Sequence, residues 1–157
     1  MSKKVAIYPG TFDPITLGHR SVIKRARKIF DKVIVGVADS GTKKPMYDLE
    51  TRVLMAKVSL KEMKGVEVSP FYSLLVNFCQ DQNVNTIIRG LRAVSDFEYE
   101  LQMGYANASI DKNIDTIYLM PSLEHAFISS TVVRDIVRHK GDASHLVPRE
   151  ILEFLDR

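Results

Sequence analysis

Apolar residues recur along this chain in two alternating rhythms, short unbroken runs and longer stretches spaced by three or four. Short segments over residues 5–8, 33–38, 66–71, 86–89 and 116–120 read as strands, the continuous apolar run at 33–38 as one buried on both faces. After the first strand, Val22, Ile23, Ala26, Ile29 and Phe30 mark one helical face, and Arg20, Lys24, Arg25, Arg27 and Lys28 form its solvated remainder. Asp48 is expected to cap a helix that buries Leu49, Val53, Ala56 and Leu60 and stops at Gly65. A short helix over 74–82 should turn Leu74, Leu75, Phe78 and Cys79 inward. Ser95 and Glu98 form a capping-box pattern for a helix reaching about residue 111, with Phe97, Leu101 and Tyr105 expected in the core. Ser129 or Ser130 caps a further helix that buries Val132, Val133, Ile136 and Val137 and ends at Gly141. Pro148 opens a last helix through 155.

Five apolar strands separated by helices predict an α/β fold, Rossmann-like and doubly wound, with a mainly parallel five-stranded sheet and helices on both faces. The whole chain, 1–157, is expected to form one domain. In such sheets ligands bind beyond the carboxyl ends of the strands, where the winding reverses. The polar segments after strands one, two, four and five should therefore meet at one edge.

Composition narrows the setting. The chain is 45% hydrophobic and 26% charged, with a net charge of +3, too small to argue for nucleic acid. A single cysteine, Cys79, excludes an internal disulfide and fits a reducing compartment. The first residues lead straight into a strand without a signal-peptide core, and no apolar run approaches the ~20 residues of a membrane span. The expectation is a soluble, cytoplasmic protein with neither membrane nor nucleic acid as partner.

The chemistry gathers in the stretch Tyr8-Pro-Gly-Thr-Phe-Asp-Pro-Ile-Thr-Leu-Gly-His19. A strand feeding a glycine-bearing loop at a helix start collects backbone N–H groups, which bind anions. It is not a Walker A loop, because His-Arg follows Gly18 where Lys and Ser or Thr are needed. No dinucleotide fingerprint, metal-ligand spacing or nucleophile elbow occurs. Thr11, Thr16 and His19 remain as donors able to hold phosphate oxygens. A second anion site is expected at Ile128-Ser-Ser-Thr131 with Arg134, and Arg89-Gly-Leu-Arg92 places two arginine forks in the same crevice. Of Lys43 and Lys44, one could reach the cleft.

These residues resemble a known pattern. Thr16-Leu-Gly-His19 resembles the T/H-x-G-H signature of the nucleotidyltransferase superfamily, and Ile128-Ser-Ser-Thr-Val-Val-Arg134 resembles its I-S-S-T-x-x-R partner. More narrowly, residues 8–15, Lys43-Lys-Pro-Met, Ile88-Arg-Gly-Leu-Arg-Ala, Asp96-Phe-Glu-Tyr-Glu100 and Phe127-Ile-Ser-Ser are similar to the bacterial phosphopantetheine adenylyltransferases.

The resemblance implies reversible transfer of AMP from ATP to 4′-phosphopantetheine, giving dephospho-coenzyme A and pyrophosphate. It implies Mg²⁺ held mainly by phosphates, with no protein ligand assigned, a homohexamer, and coenzyme A as a feedback ligand. By the family's pattern His19 stabilises the transition state, with Lys43 and Arg92 as further catalytic groups. ATP would be bound by Thr11, Phe12, His19, Gly90, Leu91, Arg92, Glu100 and the run His125, Ala126, Phe127, Ile128, Ser129, Ser130 and Thr131. The acceptor would be held by Thr11, Lys43, Leu75 and Arg89. His125 and Ala126 stand where the family often carries an aromatic residue and a serine, and Thr131 and Arg134 where many members have Ser and Lys. Two alternatives stay open: a related transferase using nicotinamide mononucleotide or a phosphorylated alcohol, and a nucleotide-binding regulator without catalysis.

Overall fold

A computed structural model describes residues 1–41 and 44–155. Its elements follow in the order β1 Val5–Gly10, α1 Leu17–Ala26, β2 Lys32–Ala38, α2 Leu49–Leu60, β3 Val66–Phe71, α3 Leu75–Asp81, β4 Thr86–Gly90, α4 Val94–Ile110, β5 Asp115–Leu119, α5 Ser130–Arg138 and α6 Leu152–Leu155. Single 3₁₀ turns at Leu123–His125 and Arg149–Ile151 precede α5 and α6. The five strands pair in parallel in the order β3-β2-β1-β4-β5. Winding thus proceeds outward through β2 and β3 and restarts on the other side of β1, so the switch point lies between β1 and β4.

Strand residues alternate between two cores. Ala6, Tyr8, Val33, Val35, Val37 and Ile88 join the larger one with Val22, Ile23, Met55, Ala56 and Val133 from the helices. Ile7, Ile34 and Ile87 face the smaller one with Phe71, Phe78 and Cys79. Both faces of the central strands are therefore apolar, which explains the continuous apolar run of β2. Phe71 and Phe78 stack with centroids 4.7 Å apart, and Gly36 makes room, since a Cβ there would come 2.9 Å from the Phe78 ring.

Helix signals were mixed. Asp48 caps α2 by accepting the Thr51 N–H at 2.8 Å, and Ser129, the first of the two candidates, caps α5 through the Val132 N–H. The Ser95 capping box does not form. Helix α4 is capped two residues earlier, at Ala93, with no side-chain bond. Phe97, Leu101 and Tyr105 do not enter the core; they are 47%, 36% and 70% exposed, on a face of α4 that the sheet does not cover. Leu74 caps α3 from outside and is exposed, and Ile29 and Val132 lie on outer faces. Helix α5 ends at Arg138, with Lys140 rather than Gly141 taking positive φ. The Gly141 N–H then closes the turn onto the Ile136 carbonyl.

Candidate active site

The loops after β1, β4 and β5 meet over the switch point around a polar cavity of about 270 Å³. Its walls include Tyr8 of β1, Thr11, Phe12 and Asp13 from the opening loop, His19 of α1, Arg89 and Gly90 at the end of β4 with Arg92 just after it, Asp96 and Glu100 from α4, and Ile128–Thr131 with Arg134 at the α5 start. Beside it lies a second cavity of about 230 Å³, with Ala38, Phe71, Leu75, Tyr99, Met103 and Asn107 among its walls. Pro9, Gly10, Thr11, Arg89 and Glu100 line both. The partition between a polar and a more apolar chamber is thus built from the end of β1, the end of β4 and one turn of α4.

His19 is held at the first turn of α1 by a reciprocal cap. Its backbone N–H donates to Thr16 Oγ1 at 3.3 Å, and its ring Nδ1 accepts the Thr16 backbone N–H at 3.0 Å. Because Nδ1 is an acceptor there, the proton of the neutral ring sits on Nε2, leaving a donor for the cavity. The Phe12 ring meets the imidazole edge-on at a centroid distance of 4.8 Å. Burial first, then the Arg92 and Arg89 charges, push the His19 pKa down from 6.5 to about 3. His19, Arg89 and Arg92 line the same cavity.

The sign of this shift fixes a pH dependence. With the folded pKa below the unfolded one, the native state binds fewer protons between about pH 3 and 6.5. The contribution of His19 to stability is complete above 6.5 and is lost as pH falls toward 3. Between pH 5 and 8 its ¹⁵N resonances should stay those of a neutral Nε2–H ring. A titration midpoint near 6.5 would overturn this reading.

Arg89 is committed to a neighbour. Its Nε and Nη2 donate to Glu100 Oε2 and Oε1 at 2.9 and 2.7 Å, and its Nη1 donates to the Pro9 carbonyl at 2.8 Å. The bond to the Glu100 carboxylate raises the Arg89 pKa against the lowering effect of burial, which is the largest single influence. Glu100 is itself steadied by Tyr118, whose hydroxyl donates to the Glu100 carbonyl at 2.8 Å. Arg92 donates to the Ile128 carbonyl at 3.2 Å and lies 3.5 Å from Asp96, joining the loop after β4 to the motif before α5.

The two motif halves are bolted together. Ser130 Oγ donates to the Pro14 carbonyl at 2.8 Å, and Arg134 Nη1 donates to the Asp13 carbonyl at 2.8 Å. Gly18 permits the approach of α1, because a Cβ there would sit 3.1 Å from the Ile128 carbonyl oxygen.

Most residues anticipated for the nucleotide line the first cavity: Thr11, Phe12, His19, Gly90, Arg92, Glu100, Ile128, Ser129, Ser130 and Thr131. Phe12 is buried, with φ of 49°, and acts as a wedge against Tyr8 and His19. Leu91, Ala126 and Phe127 are not in its walls. His125 faces away, in a groove with Arg20 and Lys24 of α1, and its Nδ1 lies 2.9 Å from Ser122 Oγ. For the acceptor, Thr11, Leu75 and Arg89 line the second cavity, while Lys43 lies outside the described residues. Sequence reasoning passed over Asp13 and Arg52, both buried polar residues with several partners. The available signal for Arg52 was its place between Leu49, Val53 and Ala56 on the inward stripe of α2.

Among the described residues no group of three or more His, Cys, Asp or Glu side chains could hold a metal ion. Asp13 and Glu100 spend their carboxylates on protein donors. Asp96, the third carboxylate of these walls, lies 3.5 Å from Arg92.

The cytidylyltransferase-like family model matches residues 7–136, so the fold and crevice are those of a nucleotidyltransferase. Among solved structures, a Vibrio parahaemolyticus chain assigned as a nicotinate-nucleotide adenylyltransferase shares the fold at TM-score 0.74 and 22% identity, covering 99% of this chain and 100% of its own. The phosphopantetheine adenylyltransferase of Nautilia profundicola is 61% identical over 96% of this chain and 97% of its own. That of Campylobacter concisus is 61% identical over 98% of each. The chain belongs to the phosphopantetheine adenylyltransferase family.

Proposed function

We propose that this protein transfers AMP from ATP to 4′-phosphopantetheine, forming dephospho-coenzyme A and pyrophosphate. An oxygen of the acceptor phosphate attacks the α-phosphorus of ATP, and the bond from that phosphorus to the β-bridging oxygen breaks as pyrophosphate leaves. The acceptor phosphate is already an anion near neutral pH, so the site needs positioning and charge neutralisation rather than a strong base.

One observation carries the proposal: a polar chamber and a more apolar chamber share a wall containing Thr11 and Arg89 at the switch point. That plan suits a triphosphate on one side and a phosphate with a long, mostly apolar arm on the other. His19 Nε2–H then donates to the reacting phosphate, and Arg92 adds positive charge. The α5 start offers Ser129, Ser130 and Thr131 to the nucleotide. Lys43 remains in the proposal from the resemblance. Mg²⁺, when bound by the substrate phosphates, would neutralise part of their charge.

Three further parts of the reading stand beside it. Coenzyme A, which contains the same pantetheine arm, is proposed as a feedback ligand of the second cavity. A homohexamer is proposed from the family resemblance, and the apolar outer face of α4, with Val94 89% and Tyr105 70% exposed, supports self-association. The cytoplasm is the proposed location; none of the described helices is long and apolar enough to cross a membrane.

Pyrophosphate release is the test, run with ATP or CTP against 4′-phosphopantetheine or nicotinamide mononucleotide. Only ATP with 4′-phosphopantetheine should turn over. Release with nicotinamide mononucleotide instead would sink the acceptor assignment, and ATP binding without any release would favour a regulator.

A further inference from the structure

Three backbone carbonyls from three segments converge on one buried guanidinium. Arg52 of α2 is 1% exposed. Its Nη1 donates to the Thr11 carbonyl at 2.7 Å and the Ala38 carbonyl at 2.9 Å, and its Nε donates to the Tyr47 carbonyl at 3.0 Å. Asp13, 4% exposed, completes the grip from the other side. Its Oδ2 accepts the Met46 N–H at 2.8 Å and its Oδ1 accepts the Tyr47 N–H at 3.0 Å. Tyr47 is thereby held through both its N–H and its C=O.

Thr11 and Ala38 both line the second cavity, so a single nitrogen of Arg52 ties two of its walls together. The connection from β2 to α2 is anchored at both ends, at Ala38 by Arg52 and at Met46 and Tyr47 by Asp13. An arginine fits this task because its planar fork offers donors in fixed, divergent directions, which an ammonium cannot reproduce. A buried charge without a hydrogen-bonded carboxylate is a costly way to fill a core. The fields of Asp13, Asp39 and Asp48 offset part of that cost.

We propose that Arg52, working with Asp13, is a positioning residue that sets the geometry of the acceptor chamber. It touches neither substrate; it holds the Thr11, Ala38 and Tyr47 backbone at the spacing a phosphorylated acceptor needs. The inference rests on the transferase reading above.

The test uses the full chain and two variants, Arg52→Lys and Asp13→Asn. In Arg52→Lys, KM for 4′-phosphopantetheine should rise about tenfold or more and KM for ATP stay within about twofold, as for loss of charge-assisted bonds on one side of the site. The Met46 and Tyr47 amides should exchange hydrogen faster than in the parent. Asp13→Asn, which gives up one of the two N–H acceptors, should show the same exchange change. If Arg52→Lys fails to fold, slow exchange at Met46 and Tyr47 in the parent and their release in Asp13→Asn decide the matter. Unchanged acceptor KM in a folded Arg52→Lys, equal rises in both KM values with a lowered Tm, or fast exchange in the parent overturns the inference. Absence of parent turnover with 4′-phosphopantetheine would remove the transferase reading itself, a result distinguishable from an active parent with an insensitive variant.

Discussion

Replacing His19 with alanine should lower kcat by about two to three orders of magnitude, the range for removing one preorganised donor from a developing charge. ATP affinity should change by less than about threefold, because the contact strengthens only as the reaction proceeds. The structural basis is the reciprocal cap with Thr16, which leaves Nε2–H as the donor toward the cavity. A donor locked in this way costs no reorganisation when charge builds on the phosphate. Because burial, helped by the Arg92 and Arg89 charges, keeps the ring neutral, the rate should also show no acid limb at the ordinary histidine pKa. Single-turnover pyrophosphate release separates chemistry from product release, and calorimetry gives ATP affinity. An unchanged kcat with weakened ATP binding would reduce His19 to a ground-state contact.

Much of this arrangement was legible before any coordinate, for reasons that differ by element. The continuous apolar run of β2 has one physical explanation, burial on both faces, and five short segments alternating with helical spacings gave the order of strands and helices. Of the four segments expected to meet at one edge, those after β1, β4 and β5 do so by topology, and β2 brings its last residue, Ala38, to the second cavity. Helix α4 misled because the spacing of Phe97, Leu101 and Tyr105 reports a shared face without saying what covers it. The capping box at Ser95 failed for a similar reason: the chain leaving β4 had already turned into helix at Val94. His125 sits in a motif segment, yet its link to Ser122 and α1 turns it away from the cavity. Arg52 was hidden by its charge, since an arginine on an apolar stripe reads as a boundary residue unless three carbonyls need it.

Removing Arg89 should damage two properties that a second substitution can separate. The Glu100 side chain is 9% exposed and receives both arms of the Arg89 fork. Arg89→Ala therefore strands a buried carboxylate, and unfolding free energy should fall by about 3 kcal/mol, the low end for a broken buried pair because Arg89 is partly open. KM for 4′-phosphopantetheine should rise together with this loss. Adding Glu100→Gln removes the stranded charge, so the double variant should recover most of the stability. It should not recover acceptor use, since the guanidinium at the partition is still missing. Urea denaturation and acceptor titration on the same three proteins decide between the roles. If acceptor KM returned with stability in the double variant, Arg89 would be a structural brace for α4, and the acceptor phosphate would have to be held by other groups of the second cavity.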